Sequence, residues 1–346
     1  MESKSNIEKL LHMYSKPIYP DWHIPIDKEE QKLFKNSGNL IIVNNRENLS
    51  ISQSIANTID EALIIIEDLR NKAKSLGFKV FFRGQNQDFF NDEKCLSILP
   101  SAFRPNTHSP FSYITNLKEV KETLLPWLFF LEHHGIEVGN ALKFESIDDD
   151  SGLGILRLVT GKNRTSDGFI GILQHYGFPT YFIDISENAL VAIWFALNKG
   201  VEVSKGIVKM TPLKAKPIKH KYSDAIEIAE WPTLHIYFQK ENDEEYPIID
   251  VRDLGCFNTP SCRPQAQEGY VIPFKSYSKT QPQDAVWTFE MDIKRWPFHI
   301  IKLGFDYSEF HSIFPKYSKE FLLPNKDPLY QDLISEKIPG VIRYED

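Results

Sequence analysis

The sequence predicts an α+β domain built on a mainly antiparallel sheet, and three observations carry that prediction. Apolar residues recur at helical spacing in a long segment that stops at Gly77. Short runs rich in β-branched and aromatic residues recur between turn signals. These helical and strand-like segments are interspersed rather than strictly alternating.

Taken in order, residues 1–50 read as an accessory segment, because Pro17, Pro20 and Pro25 break any long element. Ser54–Leu76 carries Ile55, Ile59, Leu63, Ile66 and Leu69 at helical spacing, with Gly77 as its stop. Phe78–Phe82 then reads as a strand running into Arg83-Gly84, which sets Arg83 at a strand end. Asn86–Lys94 is polar loop, Tyr113–His134 is helical apart from Pro126, and Glu145–Asp150 is acidic loop. Phe169–Tyr176 reads as helix, ended by Gly177 and Pro179, and Thr180–Ile185 as strand. Ser186 is the expected N-cap of an apolar helix over Asn188–Leu197. Further strands are expected at Gly206–Met210, Leu234–Phe238, Tyr270–Phe274, Ala285–Met291 and Phe298–Ile301, and a last helix at Pro328–Lys337.

A chain of 346 residues with 42% hydrophobic and 25% charged residues has ordinary globular composition. Three cysteines, Cys95, Cys256 and Cys262, cannot form a disulfide framework and lack zinc-ribbon spacing. Free thiols, a polar N-terminus and no apolar run near the length of a membrane span together predict a cytoplasmic protein. The net charge of −7 argues against a surface that clings everywhere to nucleic acid. Lys199–Lys221, however, holds seven lysines and one acid, Glu202. Such a strip is either a solvated face or a phosphate-tracking edge. The adjacent His133-His134 pair diverges on a helix and makes a poor metal site, so no metal is expected.

Three blocks resemble the FRG family. The first is Phe82-Arg83-Gly84-Gln85 with Leu99–Arg104. The second runs from Gln174-His175-Tyr176-Gly177 through Asp184 to Ala196, and the third is Arg263 followed by Gln267-Glu268-Gly269-Tyr270. Where the family commonly follows the Pro-Thr pair with Arg, two Leu, Asp, Trp and Thr, this chain has Tyr181, Phe182, Ile183, Asp184, Ile185 and Ser186. The resemblance covers roughly Val80–Tyr317, which gives an FRG domain over residues 51–317 and a C-terminal tail over 318–346.

The same blocks are similar to the core of ADP-ribosyltransferases of the Arg–Ser–Glu type. That resemblance implies an ADP-ribosyltransferase-like, mainly antiparallel split sheet with flanking helices, and NAD as co-substrate. Under it Arg83, Gly84, Gln85, Tyr176, His175 and Gln267 hold NAD, while Glu268, Ser186 and Asp184 are the catalytic candidates. The residue types suit the task. Cleaving the nicotinamide–ribose bond develops positive charge on the sugar, which a carboxylate stabilises. An Arg fork matches a pyrophosphate, a glycine permits close approach, and an aromatic ring suits nicotinamide. Plainer roles compete: Arg83 paired with Asp184, His175 and Tyr176 as core, Ser186 as cap only, and Asp184 as the working carboxylate instead of Glu268. The resemblance implies a toxin-like effector in phage defence, with a nucleic-acid (RNA or DNA) or protein acceptor and an inhibitory antitoxin partner. The rival is a non-catalytic module that senses a nucleotide or partner. A metal-dependent nuclease is the weakest alternative.

Overall fold

The computed structural model describes residues 41–42, 51–87, 126–127, 129–131, 133–134, 142–148, 153–158, 171–178, 180, 182–204, 206–214, 231–240, 248–252, 259–272 and 298–345. The expectations for Leu99–Arg104, Ala285–Met291, Cys95, Cys256, Lys205, residues 215–221 and most of Asn86–Lys94 and Tyr113–His134 fall outside these residues.

Strands β1 (Ile41–Ile42), β2 (Ile51–Ala56) and β3 (Phe78–Gln85) flank the first long helix, α1 (Ile59–Ser75). A hairpin of β4 (Leu142–Asp148) and β5 (Leu153–Leu158) follows, then β6 (Ile183–Ser186) and helix α2 (Ala189–Leu197). Next come β7 (Asn198–Ser204), β8 (Ile207–Pro212), β9 (Thr233–Lys240), β10 (Ile249–Asp250), helix α3 (Cys262–Ala266), β11 (Gly269–Ile272) and β12 (Phe298–Leu303). Helices α4 (Tyr307–Ile313), α5 (Lys319–Leu322) and α6 (Pro328–Ser335) and strand β13 (Arg343–Tyr344) complete the chain.

The main sheet runs β1-β2-β12-β9-β3-β6-β11-β10, and a smaller one runs β13-β8-β7. The fold is mixed α/β with sheets of mixed strand orientation. Most pairs are antiparallel as expected, but β2 pairs parallel with β12 and β13 with β8. Both parallel pairs join strands far apart in sequence, which local periodicity cannot register.

Helices α1 and α2 cover one face of the main sheet, burying Ala62, Ile66, Leu69, Ala192 and Trp194 against Phe82, Leu234, Ile236 and Ile301. Helix α1 starts later than its apolar spacing suggests, because Ser54–Ala56 complete β2. Thr58 is its N-cap and accepts from Glu61 N at 3.2 Å, while Glu61 Oε2 accepts from Asn57 N at 2.7 Å. Asn188, not Ser186, caps α2: its Oδ1 accepts from Leu190 N at 2.9 Å. The expected acidic loop at Glu145–Asp150 lies largely in β4.

The segment beyond Tyr317, expected as a tail, is packed into the domain. Asp327, Leu322, Leu329 and Leu333 are fully buried. Ile342 N donates to Tyr176 O, and Trp127 Nε1 donates to Pro339 O at 2.7 Å. Nor is the accessory segment separate throughout, since β1 extends the main sheet.

Candidate functional site

The site is set by three consecutive strands. In β3, Phe82 is the cross-strand partner of Ser186 in β6, and Ser186 is in turn the partner of Gly269 in β11. Arg83 adjoins the first of these residues and Glu268 the last, so residues 83, 186 and 268 lie within about two strand spacings, roughly 10 Å. Whereas β3 matches β9 along eight positions, it meets β6 through the Phe82–Ser186 pair among the described residues. Past that pair the Arg83 side chain bridges the two strands, Nη1 donating to Asp184 O at 2.7 Å. Its partner is the main-chain carbonyl rather than the carboxylate. Arg83 Nε and Asp184 Oδ1 are both buried without a hydrogen-bond partner.

Gly84 answers to packing. A Cβ built there would sit 2.6 Å from Ala196 N and closer still to Ala192 O. The glycine therefore lets α2 press against the sheet, and the space expected for a ligand's approach is filled by the helix. Alternation along β3 puts Phe82 and Gly84 toward α2, and Arg83 and Gln85 on the other face. There Arg83 lies opposite His235. Burial, reinforced by the charges of Lys302 and Arg83, holds the His235 imidazole far below its ordinary pKa and hence neutral. Burial also raises the neighbouring Tyr237 hydroxyl, against the pull of Arg83. Gln85 is nearly buried, and its Oε1 has no partner.

Ser186, as partner of Phe82, starts from the helix-covered face. Its hydroxyl donates to Gln267 O at 2.7 Å and accepts from Asn188 N at 3.0 Å. It thus ties the β6–α2 corner to the turn that carries Glu268. Glu268 occupies the left-handed region at φ 46°, a conformation costing roughly 1–2 kcal/mol for a side-chain-bearing residue. The turn is fixed by Glu268 N donating to Gln265 O at 3.1 Å and Glu187 N donating to Glu268 O at 3.3 Å. Asn188 Nδ2 donates to Glu268 Oε1 at 2.7 Å and lies 3.0 Å from Tyr317 Oη. No hydrogen bond from the described residues reaches Glu268 Oε2.

His175 and Gln267 support this turn from behind. His175 Nδ1 lies 2.8 Å from Gln267 Oε1; the amide oxygen can only accept, so Nδ1 carries the proton. Gln267 Nε2 donates to Leu322 O at 2.9 Å. The His175 ring crowds Gly269, lying 3.1 Å from where a Cβ would stand, and its Nε2 is buried without a partner. Both side chains brace the backbone beside Glu268.

Tyr176, expected to stack on a planar ligand, is fully buried and donates to Asp327 Oδ2 at 2.6 Å. Burial and that carboxylate raise its pKa well above the ordinary value. It packs instead around Arg263, whose guanidinium stands 3.9 Å from the Tyr330 ring centroid, 5.0 Å from that of Tyr176 and 5.2 Å from that of Tyr344. Arg263 is wholly buried, with Nη1 donating to His175 O at 3.3 Å. Its role was not legible beforehand, since two of the three rings come from the segment beyond Tyr317.

On the exposed rim, Arg252 stacks 4.6 Å over Tyr270 and bonds Asp250, while Tyr270 Oη donates to Glu187 Oε2 at 2.8 Å. Partial burial works against the Asp250 charge, but the Arg252 bonds prevail and lower its pKa. Tyr270 meets Phe81 edge-on at 5.0 Å, which carries the Arg83 side of the sheet across to β11. Of the lysine strip, Lys199, Lys209 and Lys214 are described and exposed. Among the described residues no His, Cys, Asp and Glu cluster could hold a metal ion, and no helix is long and apolar enough to cross a membrane.

The FRG domain model matches residues 155–204, from β5 through β6 and α2 into β7. This match supports the FRG family for the chain, and it spans the Ser186 corner and the helix that Gly84 admits. No curated protein and no solved structure matches the chain.

Proposed function

We propose that this chain is a mono-ADP-ribosyltransferase that cleaves NAD at the nicotinamide–ribose bond and passes ADP-ribose to a nucleophile on a nucleic acid or protein. The reading is carried by one observation: the Arg83, Ser186 and Glu268 blocks, far apart in sequence, sit on the adjacent strands β3, β6 and β11. The narrow β3–β6 junction supports a split sheet of the transferase kind. In this account Arg83 binds the pyrophosphate and ribose of NAD through its guanidinium, whose Nε has no hydrogen-bond partner among the described residues. Glu268 stabilises the sugar cation and orients a ribose hydroxyl through its open oxygen. Nicotinamide leaves with the electron pair of the broken bond, and the acceptor nucleophile loses its proton as it bonds the sugar carbon. Ser186 serves by holding the Gln267 carbonyl rather than by touching the sugar. A setting in phage defence, with an inhibitory partner, rests on the family resemblance.

A second reading, a sensor that binds a nucleotide without chemistry, is favoured by the Ser186 hydroxyl. That group is spent on main-chain bonds and starts from the face opposite Arg83. Incubating the protein with labelled NAD and, separately, RNA, DNA and cell extract decides between them. Label in one fraction supports transfer, and NAD binding without label supports the sensor.

A further inference from the structure

We propose that Asn188 is the positioning residue of Glu268, fixing one carboxylate oxygen and leaving the other for the ligand. Every polar group of Asn188 is engaged. Its Oδ1 caps α2 at 2.9 Å, its backbone N–H donates to Ser186 Oγ at 3.0 Å, and its Nδ2 lies 2.7 Å from Glu268 Oε1 and 3.0 Å from Tyr317 Oη. The amide is therefore clamped from the helix side, and its two donor hydrogens are shared between Glu268 Oε1 and Tyr317 Oη. Glu268 needs such a clamp because its left-handed backbone is unfavourable on its own and persists only where surrounding contacts over-determine it. Ser186, the catalytic candidate on the same corner, bonds the Gln267 carbonyl and not the carboxylate. The carboxylate contact is made by Asn188, two positions on. A neutral amide orients the carboxylate without a competing charge, and Tyr317 ties this arrangement to the C-terminal helices.

Other titratable or charged groups near the carboxylate are Glu187 and Arg252 on the rim, His175 behind Gly269, and Tyr317 with Lys316 from the C-terminal side. None of them offers the Oε1 atom a hydrogen bond among the described residues.

Substitution separates this role from helix capping. Asp and Ser cap helices about as well as Asn, yet neither can give Glu268 the amide hydrogen bond. In Asn188→Asp a second carboxylate replaces the donor, so the Glu268 titration, followed by carbon NMR of its carboxyl, moves to higher pH. Asn188→Ser, which adds no charge, moves it less and keeps the test open should the Asp variant not fold. Both variants keep thermal midpoints within a few degrees of wild type. In both, kcat for ADP-ribose transfer falls about 10- to 100-fold while KM for NAD stays within about threefold, the pattern of a misaligned group. An unmoved Glu268 titration in folded Asn188→Asp, or wild-type kcat in Asn188→Ser, overturns the assignment. The kinetic arm rests on the transferase reading and the titration arm does not. A wild type that binds but never transfers ADP-ribose ends that reading, and the titration still decides the role of Asn188.

Discussion

Gly84 lies directly beneath Ala192, so close that the β3 backbone and the α2 backbone leave no room for a single methyl group. The contact explains why the residue after Arg83 is glycine although the helix it meets lies far along the chain. The glycine seats the helix that follows β6, and the helix in turn fixes the corner from which Asn188 and Ser186 hold the Glu268 turn.

Gly84→Ala is therefore a stability variant. We expect it to lose about 1–3 kcal/mol or more, read as a lowered urea midpoint, since the clash is with backbone and cannot be relieved by a rotamer change. Arg83→Ala, which removes one hydrogen bond to a carbonyl from a half-buried side chain, should cost about 0.5–1.5 kcal/mol and leave the fold intact. The two neighbours separate packing from ligand binding.

Trp194 and Phe195 divide in the same way. Trp194 is 1% exposed, so Trp194→Ala should cost roughly 3–5 kcal/mol by denaturant unfolding. Phe195, which its apolar helix suggests is equally buried, is only partly covered and should cost clearly less.

Much of this was legible in the sequence. Periodicity located β3, β6, β8, β9, β11 and β12 to within a few residues, because each carries a dense apolar or β-branched run. It missed β7, whose residues after Asn198 are exposed, and it gave Ser54–Ala56 to a helix. The order of the Arg83, Ser186 and Glu268 blocks was readable, but the contacts around them were not. His235 reads as an ordinary strand residue, and its burial beside Arg83 and Lys302 depends on pairing between strands 150 residues apart. The Arg263 cage and the Tyr317–Asn188 contact likewise join distant segments, so no local pattern records them.

Two buried histidines give the protein an acid-sensitive fold. His235 is held far below its ordinary pKa, chiefly by burial, and His299 is held down to about 3 by burial and the charge of Lys72. The unfolded chain takes up protons near pH 6.5 while the native state does not, so stability is full above that value and is lost as pH falls below it. For His299 the loss is on the order of 1.4 kcal/mol per pH unit at most over the window from about 6.5 down toward 3, and His235 adds to it in the same direction. Urea midpoints should drop steadily from pH 7 to pH 5, and a flat profile would contradict the neutral, buried state of both rings.

Glu268→Gly tests whether the left-handed turn is kept for function. The exchange removes the unfavourable backbone term, roughly 1–2 kcal/mol, along with the Asn188 hydrogen bond and some chain stiffness. Stability should stay within about 1 kcal/mol of wild type. A loss of 3 kcal/mol or more would make Glu268 a structural residue.

The most direct test of the transferase account is the comparison of wild type with Glu268→Gln, measuring label transferred from NAD alongside NAD affinity by calorimetry. The amide keeps the shape and the reach to Asn188 but removes the charge that stabilises the sugar cation. The account predicts NAD binding within a few-fold of wild type and transfer reduced by about 10²–10⁴-fold. Equal transfer by the two proteins would contradict it and move the carboxylate role to Asp184, whose Oδ1 is buried without a partner.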